Sequence, residues 1–181
     1  MSDNIDGERL RKAMRLVPSP VTVVTTGDAN GPRGITIGSF NSVSLDPPLI
    51  SFNINREAQM YPVAVAASRF AVHLLGDDQA FLSNHFAIPD LSSEEQFAGM
   101  VYRVDDYGVP ILEDVLVVFH CTLFAVYEAG DHSIFVGEVV GIEEGKRGKP
   151  LLYYDRTYRS VGDELKSTFV IPTKRVSSDT P

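Results

Sequence analysis

Apolar and polar positions alternate along most of this chain with the short period of strands. Helical spacing is confined to a few brief segments. Residues 8–16 set Leu10, Ala13, Met14 and Leu16 among arginine and lysine, the pattern of a short amphipathic helix that Pro18 stops. Val21–Thr26 is β-branched throughout and reads as a strand, followed by dense turn chemistry over Gly27–Pro32. Strand-like composition resumes over Arg33–Ser44, with Gly34 and Gly38 inserted, and glycine inside a strand marks a bulge or a close approach by a ligand. Asp46-Pro47-Pro48 breaks the chain before another strand at Leu49–Ile54. Tyr61–Ala67 reads as a helix with Pro62 at its first turn, Phe70–Leu75 as a strand, and Asp77–Phe86 as a helix opened by two acidic residues. Glu94–Ala98 adds a helical turn. Two long β-branched and aromatic runs follow, Val115–Tyr127 and Ser133–Ile142, joined across Glu128–His132 with Gly130 available for positive φ. Leu151–Tyr154 reads as a last strand.

Strands outnumber helices and no regular βαβ alternation appears. The pattern therefore predicts a mainly β, antiparallel barrel with a few flanking helices, not a doubly wound parallel sheet. The 181 residues suit one domain, expected over residues 8–165 with a C-terminal tail at 166–181, whose last part from Thr173 is rich in Ser and Thr. Sixteen Lys and Arg against 24 Asp and Glu leave a net charge of −8, which disfavours nucleic acid as a partner but permits a local site for one phosphate. Charges interrupt the apolar positions of residues 1–18, so no signal peptide is expected, and the apolar run Val115–Phe119 is far short of the roughly 20 residues of a membrane span. Cys121 is the single cysteine, so no intrachain disulfide forms, and a cytoplasmic location is expected.

Several chemistries lack their motifs. No G-x-G-x-x-G opens a helix, and Gly145–Pro150 lacks the spacing of a phosphate loop. His73, His85, His120 and His132 show no close metal-ligand spacing, and no G-x-S-x-G elbow is present. The informative stretch is Gly34–Ser44. Thr36, Ser39, Ser42 and Ser44 place hydroxyls beside two glycines, so the strand can offer N–H and O–H groups to the polar edge of a flat ligand. On this chemistry alone, the same strand also reads as an ordinary solvent-facing one.

The stretch closely resembles the short-chain flavin reductases, small reductases that supply reduced flavin to two-component monooxygenases. The resemblance continues through Val21–Thr26, Leu45–Leu49, Phe70–Leu75, Gly130–Glu138, Pro150–Tyr154 and Tyr158-Arg159, and covers about residues 8 to 162. It implies a homodimeric split β-barrel that binds FMN or FAD and takes a hydride from NADH or NADPH. It implies that Thr36, Ile37, Gly38, Ser39 and Phe40 lie along the flavin ring, with Thr36 and Ser39 at its polar edge. It implies that the turn from Asn53 through Asn55 to Arg56 approaches the ribityl chain and phosphate, and that Tyr158 borders the pocket. Asp131 and His132 then stand where the nicotinamide stacks, as the candidate catalytic pair. Phe86 is a candidate ligand contact, although the residues favour a core position on a helix. Cys121 is expected to be buried and inert.

Hydride transfer between stacked rings is chiefly positioning work, and N–H or O–H donors stabilise the negative charge that reduction creates. After Asn55-Arg56 the family carries small hydroxyl residues, whereas this chain has Glu57-Ala58-Gln59-Met60. Lost hydroxyls at 58 and 60 imply weaker phosphate binding, and so either a diffusible flavin or a preference for another flavin form. Three functions stay open on the residues alone: a reductase serving a separate monooxygenase, a non-catalytic flavin carrier on the same barrel, and a split-barrel oxidase acting directly on an organic substrate.

Overall fold

The computed structural model describes residues 5–28 and 31–165; the expected tail at 166–181 lies outside them. A first helix, α1 (Gly7–Met14), is capped by Asp6, whose carboxylate accepts from the Arg9 N–H at 2.7 Å. It buries none of its residues. Twelve strands follow among the described residues: β1 (Ser19–Pro20), β2 (Thr22–Asp28), β3 (Gly31–Ile37), β4 (Asn41–Leu45), β5 (Pro48–Asn55), β6 (Arg69–Leu74), β7 (Tyr102–Val104), β8 (Pro110–Leu112), β9 (Val117–Ala129), β10 (His132–Glu144), β11 (Leu152–Tyr154) and β12 (Thr157–Arg159). Three more short helices interrupt them: α2 (Met60–Ala66), α3 (Ala80–Phe86) and α4 (Ser93–Phe97).

Seven strands form one antiparallel sheet in the order β3-β2-β6-β9-β10-β5-β4. Ile37 on one edge strand shares a buried cluster with Ile50, Phe52 and Ile54 near the opposite edge, together with Val24, Phe70, Val72 and Phe135. Residues at opposite ends of a sheet can share a core only if the sheet curls upon itself, so the architecture is the split antiparallel barrel that the pattern predicts. Phe52 stacks on Phe135 at 5.5 Å and meets Phe70 edge-on at 5.3 Å inside this barrel.

The other face of β2 and β6 is covered as well. Val21, Val23, Ala71 and Leu75 pack against Leu82 and Phe86 of α3, Phe97 of α4, and Ile111 and Leu112 of β8. The central strands are thus sandwiched between two cores, which explains why Val21–Thr26 reads as a continuous β-branched run and not as an alternating one. His73 lies in the same layer, fully buried. Its Nδ1–H donates to the Val23 carbonyl at 3.0 Å, and its Nε2 accepts from the Leu112 N–H at 3.1 Å.

The structure moves several boundaries. Arg33–Ser44 is not one strand: β3 ends at Ile37 and β4 begins at Asn41, because Gly38–Phe40 turn the chain between the two edges. The third helix begins at Ala80 and not at Asp77; the carboxylate of Asp78 instead holds Lys146 at 2.7 Å. Pro62 is the third residue of α2, which Gln59 precedes. The hairpin loop between β9 and β10 is only Gly130-Asp131, with Gly130 at φ +67. Gly145 lies exposed outside the strands, and a Cβ there would collide with the Val115 carbonyl oxygen. Cys121 is buried as expected, and burial pushes its thiol up to about 12. Among the described residues no helix is long and apolar enough to cross a membrane.

Candidate functional site

Strand β5 organises the site. Ile50, Phe52 and Ile54 enter the barrel core, so Ser51, Asn53 and Asn55 face outward by the two-residue period of a strand. Register then puts Ile134 opposite Asn53 and His132 opposite Asn55, which places His132 on the same outward face. The Gly38–Phe40 turn is tied to that face from the other side, because the Asn53 N–H donates to Ser39 Oγ at 2.8 Å. Asn53, Asn55, Ser39 and His132 are therefore brought together although they are spread over more than ninety positions of the chain.

The short hairpin holds the candidate catalytic pair. The Nδ1–H of His132 donates to Asp131 Oδ1 at 2.7 Å, which fixes the ring's other nitrogen, Nε2, as the atom left for chemistry. This hydrogen bond, then the imidazole's charge and more distantly that of Arg11, hold the Asp131 carboxyl below the usual carboxylate range. The Arg56 N–H donates to the Asp131 carbonyl at 3.0 Å, so the β5–α2 turn and the hairpin are fastened together. Asn55 Oδ1 accepts from the Glu57 N–H at 2.8 Å and shapes the same turn. The Arg56 guanidinium lies 3.3 Å from the Glu128 carboxylate.

Beside this recess a cavity of about 300 Å³ opens between β3, the leading turn of α2 and the segment after α3. Arg33, Thr36, Ala58, Gln59, Phe86 and Asp90 are among the residues lining it. Gln59 Nε2 donates to Asp90 Oδ1 at 2.8 Å, joining two walls. Phe86 satisfies both of its sequence readings, since it is 2 % exposed in the outer core and lines the cavity as well. Its ring lies against Gly34, where a Cβ would meet two ring carbons at 2.7 Å, and Gly34 itself borders the cavity. Gln96 clamps the same glycine, accepting its N–H at 2.9 Å and donating to its carbonyl at 2.8 Å.

The two candidate hydroxyls at the ring edge differ in what they can do. Thr36 Oγ1 donates to the Ser83 carbonyl at 2.7 Å, so its proton is committed. Ser39 Oγ is an acceptor towards Asn53, which leaves its proton available to a ligand. Gly38 between them is exposed. Ile37 points into the barrel core and Phe40 packs on Phe119 at 5.4 Å, so these two act as supports and offer the site only backbone. Tyr158 OH donates to Asn84 Oδ1 and is hydrogen-bonded with Ser83 Oγ, both at 2.9 Å, and so braces α3 at the residue that also holds Thr36.

Sequence reading missed Ser83, Gln96, Gln59 and Asp90. Each acts through a partner between 31 and 75 positions away, and no local spacing signals such a pairing. Met60, where the family resemblance leads one to expect a hydroxyl, is 4 % exposed and packs in the barrel core. Both Ala58 and Met60 border the cavity, Met60 with only its small exposed part.

The family described as the flavin reductase like domain matches residues 14–162. A NADH:riboflavin 5'-phosphate oxidoreductase of Streptomyces pristinaespiralis is 40 % identical over 156 residues, covering 84 % of this chain and 87 % of that protein. The NADH:FAD oxidoreductase of Streptomyces globisporus C-1027, solved in complex with NAD and FAD fragments, superposes with a TM-score of 0.82 at 31 % identity, over 92 % of this chain and 99 % of that one. The flavin reductase component of a bacterial two-component tryptophan halogenase gives a TM-score of 0.80 at 34 % identity, over 88 % and 100 %.

Proposed function

This chain belongs to the flavin reductase-like family, and from that premise we propose that it transfers a hydride from NADH or NADPH to FMN or FAD and passes the reduced flavin to a separate flavin-dependent monooxygenase. The observation that carries the reading is the shared outward face: Gly38, Ser39, Asn53, Asn55 and His132 meet there from three distant segments.

The residues fit a flat ring with a polar edge. Gly38 has no side chain to block the approach of such a ring to the backbone, and Ser39 has an uncommitted O–H. Bound flavin supplies the hydride acceptor, and the protein's work is placement and electrostatics. Ser39 and nearby backbone N–H groups stabilise negative charge at the ring edge. His132, oriented by Asp131, presents Nε2 to hold or move a proton on the nicotinamide side. Thr36, Phe86 and Tyr158 keep β3 and α3 in register with the ring.

The phosphate end fits less well. Arg56 is partly neutralised by Glu128, Glu57 and Asp90 add negative charge at the cavity, and Ala58 offers no hydroxyl. These features support flavin acting as a diffusible substrate, which suits delivery to a partner enzyme. A homodimer is part of the same reading: β4 is an edge strand, and Leu45 on it is 89 % exposed, with Val43 also exposed. The lone buried thiol of Cys121 agrees with a cytoplasmic location.

The test is an anaerobic titration of the protein with FMN or FAD, following loss of oxidised-flavin absorbance as NADH is added. Bleaching that depends on the protein supports the reductase. Flavin binding without bleaching by NADH or NADPH would leave the carrier reading. Sedimentation at micromolar concentration decides the dimer.

A further inference from the structure

On the far side of the Gly38 turn lies a second cleft, of about 270 Å³, that none of the roles above uses. It is lined by Arg11, Met14, Arg15 and Val17 from α1 and the segment after it, Ser19 of β1, and Tyr153, Asp155 and Arg156 from the β11–β12 hairpin. Three arginines therefore line one opening, with Asp155 the one acidic residue among them. Among the described residues, none of the three arginines forms an ion pair within 4 Å, and Arg15 Nε is buried without a hydrogen-bond partner. In a chain of net charge −8, a cluster of unneutralised cations points to a ligand that brings its own negative charge.

The backbone is arranged to hold this cluster. The Asp155 N–H donates to the Arg15 carbonyl at 3.0 Å, and Ser19 pairs with Tyr153, so both walls are tethered. Arg156 has φ +61 and Asp155 φ +45, left-handed values at two consecutive residues that are not glycine. A tight hairpin favours Asn-Gly here, and keeping an arginine at such a position is explained when its side chain has a task. Tyr153 is 42 % exposed and offers an aromatic surface at the same cleft.

The cleft adjoins the candidate site at two points. A Cβ on Gly38 would lie 3.6 Å from the Ser19 side chain. Arg11 is near enough to Asp131 for its charge to be felt there.

We propose that this arginine cleft binds the adenosine diphosphate half of the nicotinamide dinucleotide, with Arg11, Arg15 and Arg156 on its phosphoryl groups and Tyr153 against the adenine. The inference rests on the reductase reading, because a hydride donor carrying two phosphates must dock beside His132 on a surface that otherwise repels it. Guanidinium forks suit phosphoryl oxygens, and an aromatic ring suits a base. FAD carries the same moiety, so the experiment must separate the two sources.

The test uses ADP-ribose, which lacks the nicotinamide and so binds without turnover. Calorimetry on the wild-type protein should show binding that weakens as salt is raised. The double variant Arg11→Gln/Arg156→Gln should lose that binding. With FMN as acceptor, so that NADH alone carries adenosine diphosphate, the KM for NADH should rise by about tenfold or more for each arginine removed, with the effect in KM and not in kcat. No ADP-ribose binding by the wild type, or an unchanged KM for NADH in the double variant, overturns the proposal. So does a variant whose KM rises for FAD but not for NADH, which would give the cleft to the flavin. Should the wild type fail to oxidise NADH at all, the reductase reading falls, while the ADP-ribose measurement still reports on the cleft by itself.

Discussion

Acid should weaken this protein through one buried imidazole. His73 is enclosed between β2, β6 and β8, with both ring nitrogens used: Nδ1–H on the Val23 carbonyl, Nε2 on the Leu112 N–H. A proton added to Nε2 would face an N–H donor in a fully buried site. Burial accordingly lowers its pKa from 6.5 to about 4, although the hydrogen bond to Val23 opposes the shift. In the unfolded chain the imidazole takes up its proton as pH falls below 6.5, whereas in the folded chain it stays neutral until about pH 4. The unfolded state thus binds more protons across that interval, and stability falls with falling pH throughout it. Above the interval the contribution is complete; below it the contribution is gone. The shift corresponds to about 3 kcal/mol in full, and to about 2 kcal/mol between pH 7.5 and 5. Urea unfolding at pH 7.5, 6 and 5 measures it, in the wild type and in His73→Phe. The variant should be less stable at pH 7.5, because the Val23 and Leu112 groups lose a buried partner at roughly 1–3 kcal/mol each. Its curve should nevertheless be flatter by about 2 kcal/mol over the same range. Equal pH slopes in the two proteins would refute the reasoning.

Other expectations follow from the site. Ser39→Ala should slow flavin reduction by NADH, whereas Thr36→Val should act mainly through loss of its bond to Ser83 and lower stability, as stopped-flow reduction and thermal unfolding would show; equal effects on reduction would remove the distinction between the two hydroxyls. His132→Ala should lower the reduction rate by about 10²–10⁴-fold if Nε2 handles a proton, with flavin affinity changing less; Asp131→Asn should fall between, and an unchanged rate would make the pair a hairpin element only. Ala58→Ser should tighten FMN binding in fluorescence titration, by about tenfold if the new hydroxyl reaches the phosphate; no change would place the phosphate elsewhere.

Much of the fold was legible because its signals are local. The β-branched run at Val21–Thr26 and the paired runs flanking Gly130 became β2, β9 and β10 within two or three residues. The short elements β7, β8 and β12 left no trace, since three residues carry too little periodicity to stand out, and their formation depends on partners such as Phe97 and Leu152. The interior glycine at 34 was legible as a close approach, but not by what: only the fold shows that Phe86 fills that space. The face shared by Ser39, Asn53 and His132 was legible only through resemblance, because pairing across the barrel is a property of register, and register is set by turns and packing along the whole strand.

The two-residue loop Gly130-Asp131 also bears on the order in which the molecule assembles. With glycine at positive φ in the first loop position, it matches a type II′ connection, and it joins two strands of thirteen residues. A hairpin of this kind closes in microseconds, whereas β5 must find β10 across some eighty intervening residues. Contact order therefore favours the β9–β10 ribbon as the surface on which β6 and β5 are later laid. On that order Asp131 and His132 are expected to take their positions before the barrel closes, and Gly130→Val should slow refolding in stopped-flow measurements as well as disturb the finished enzyme.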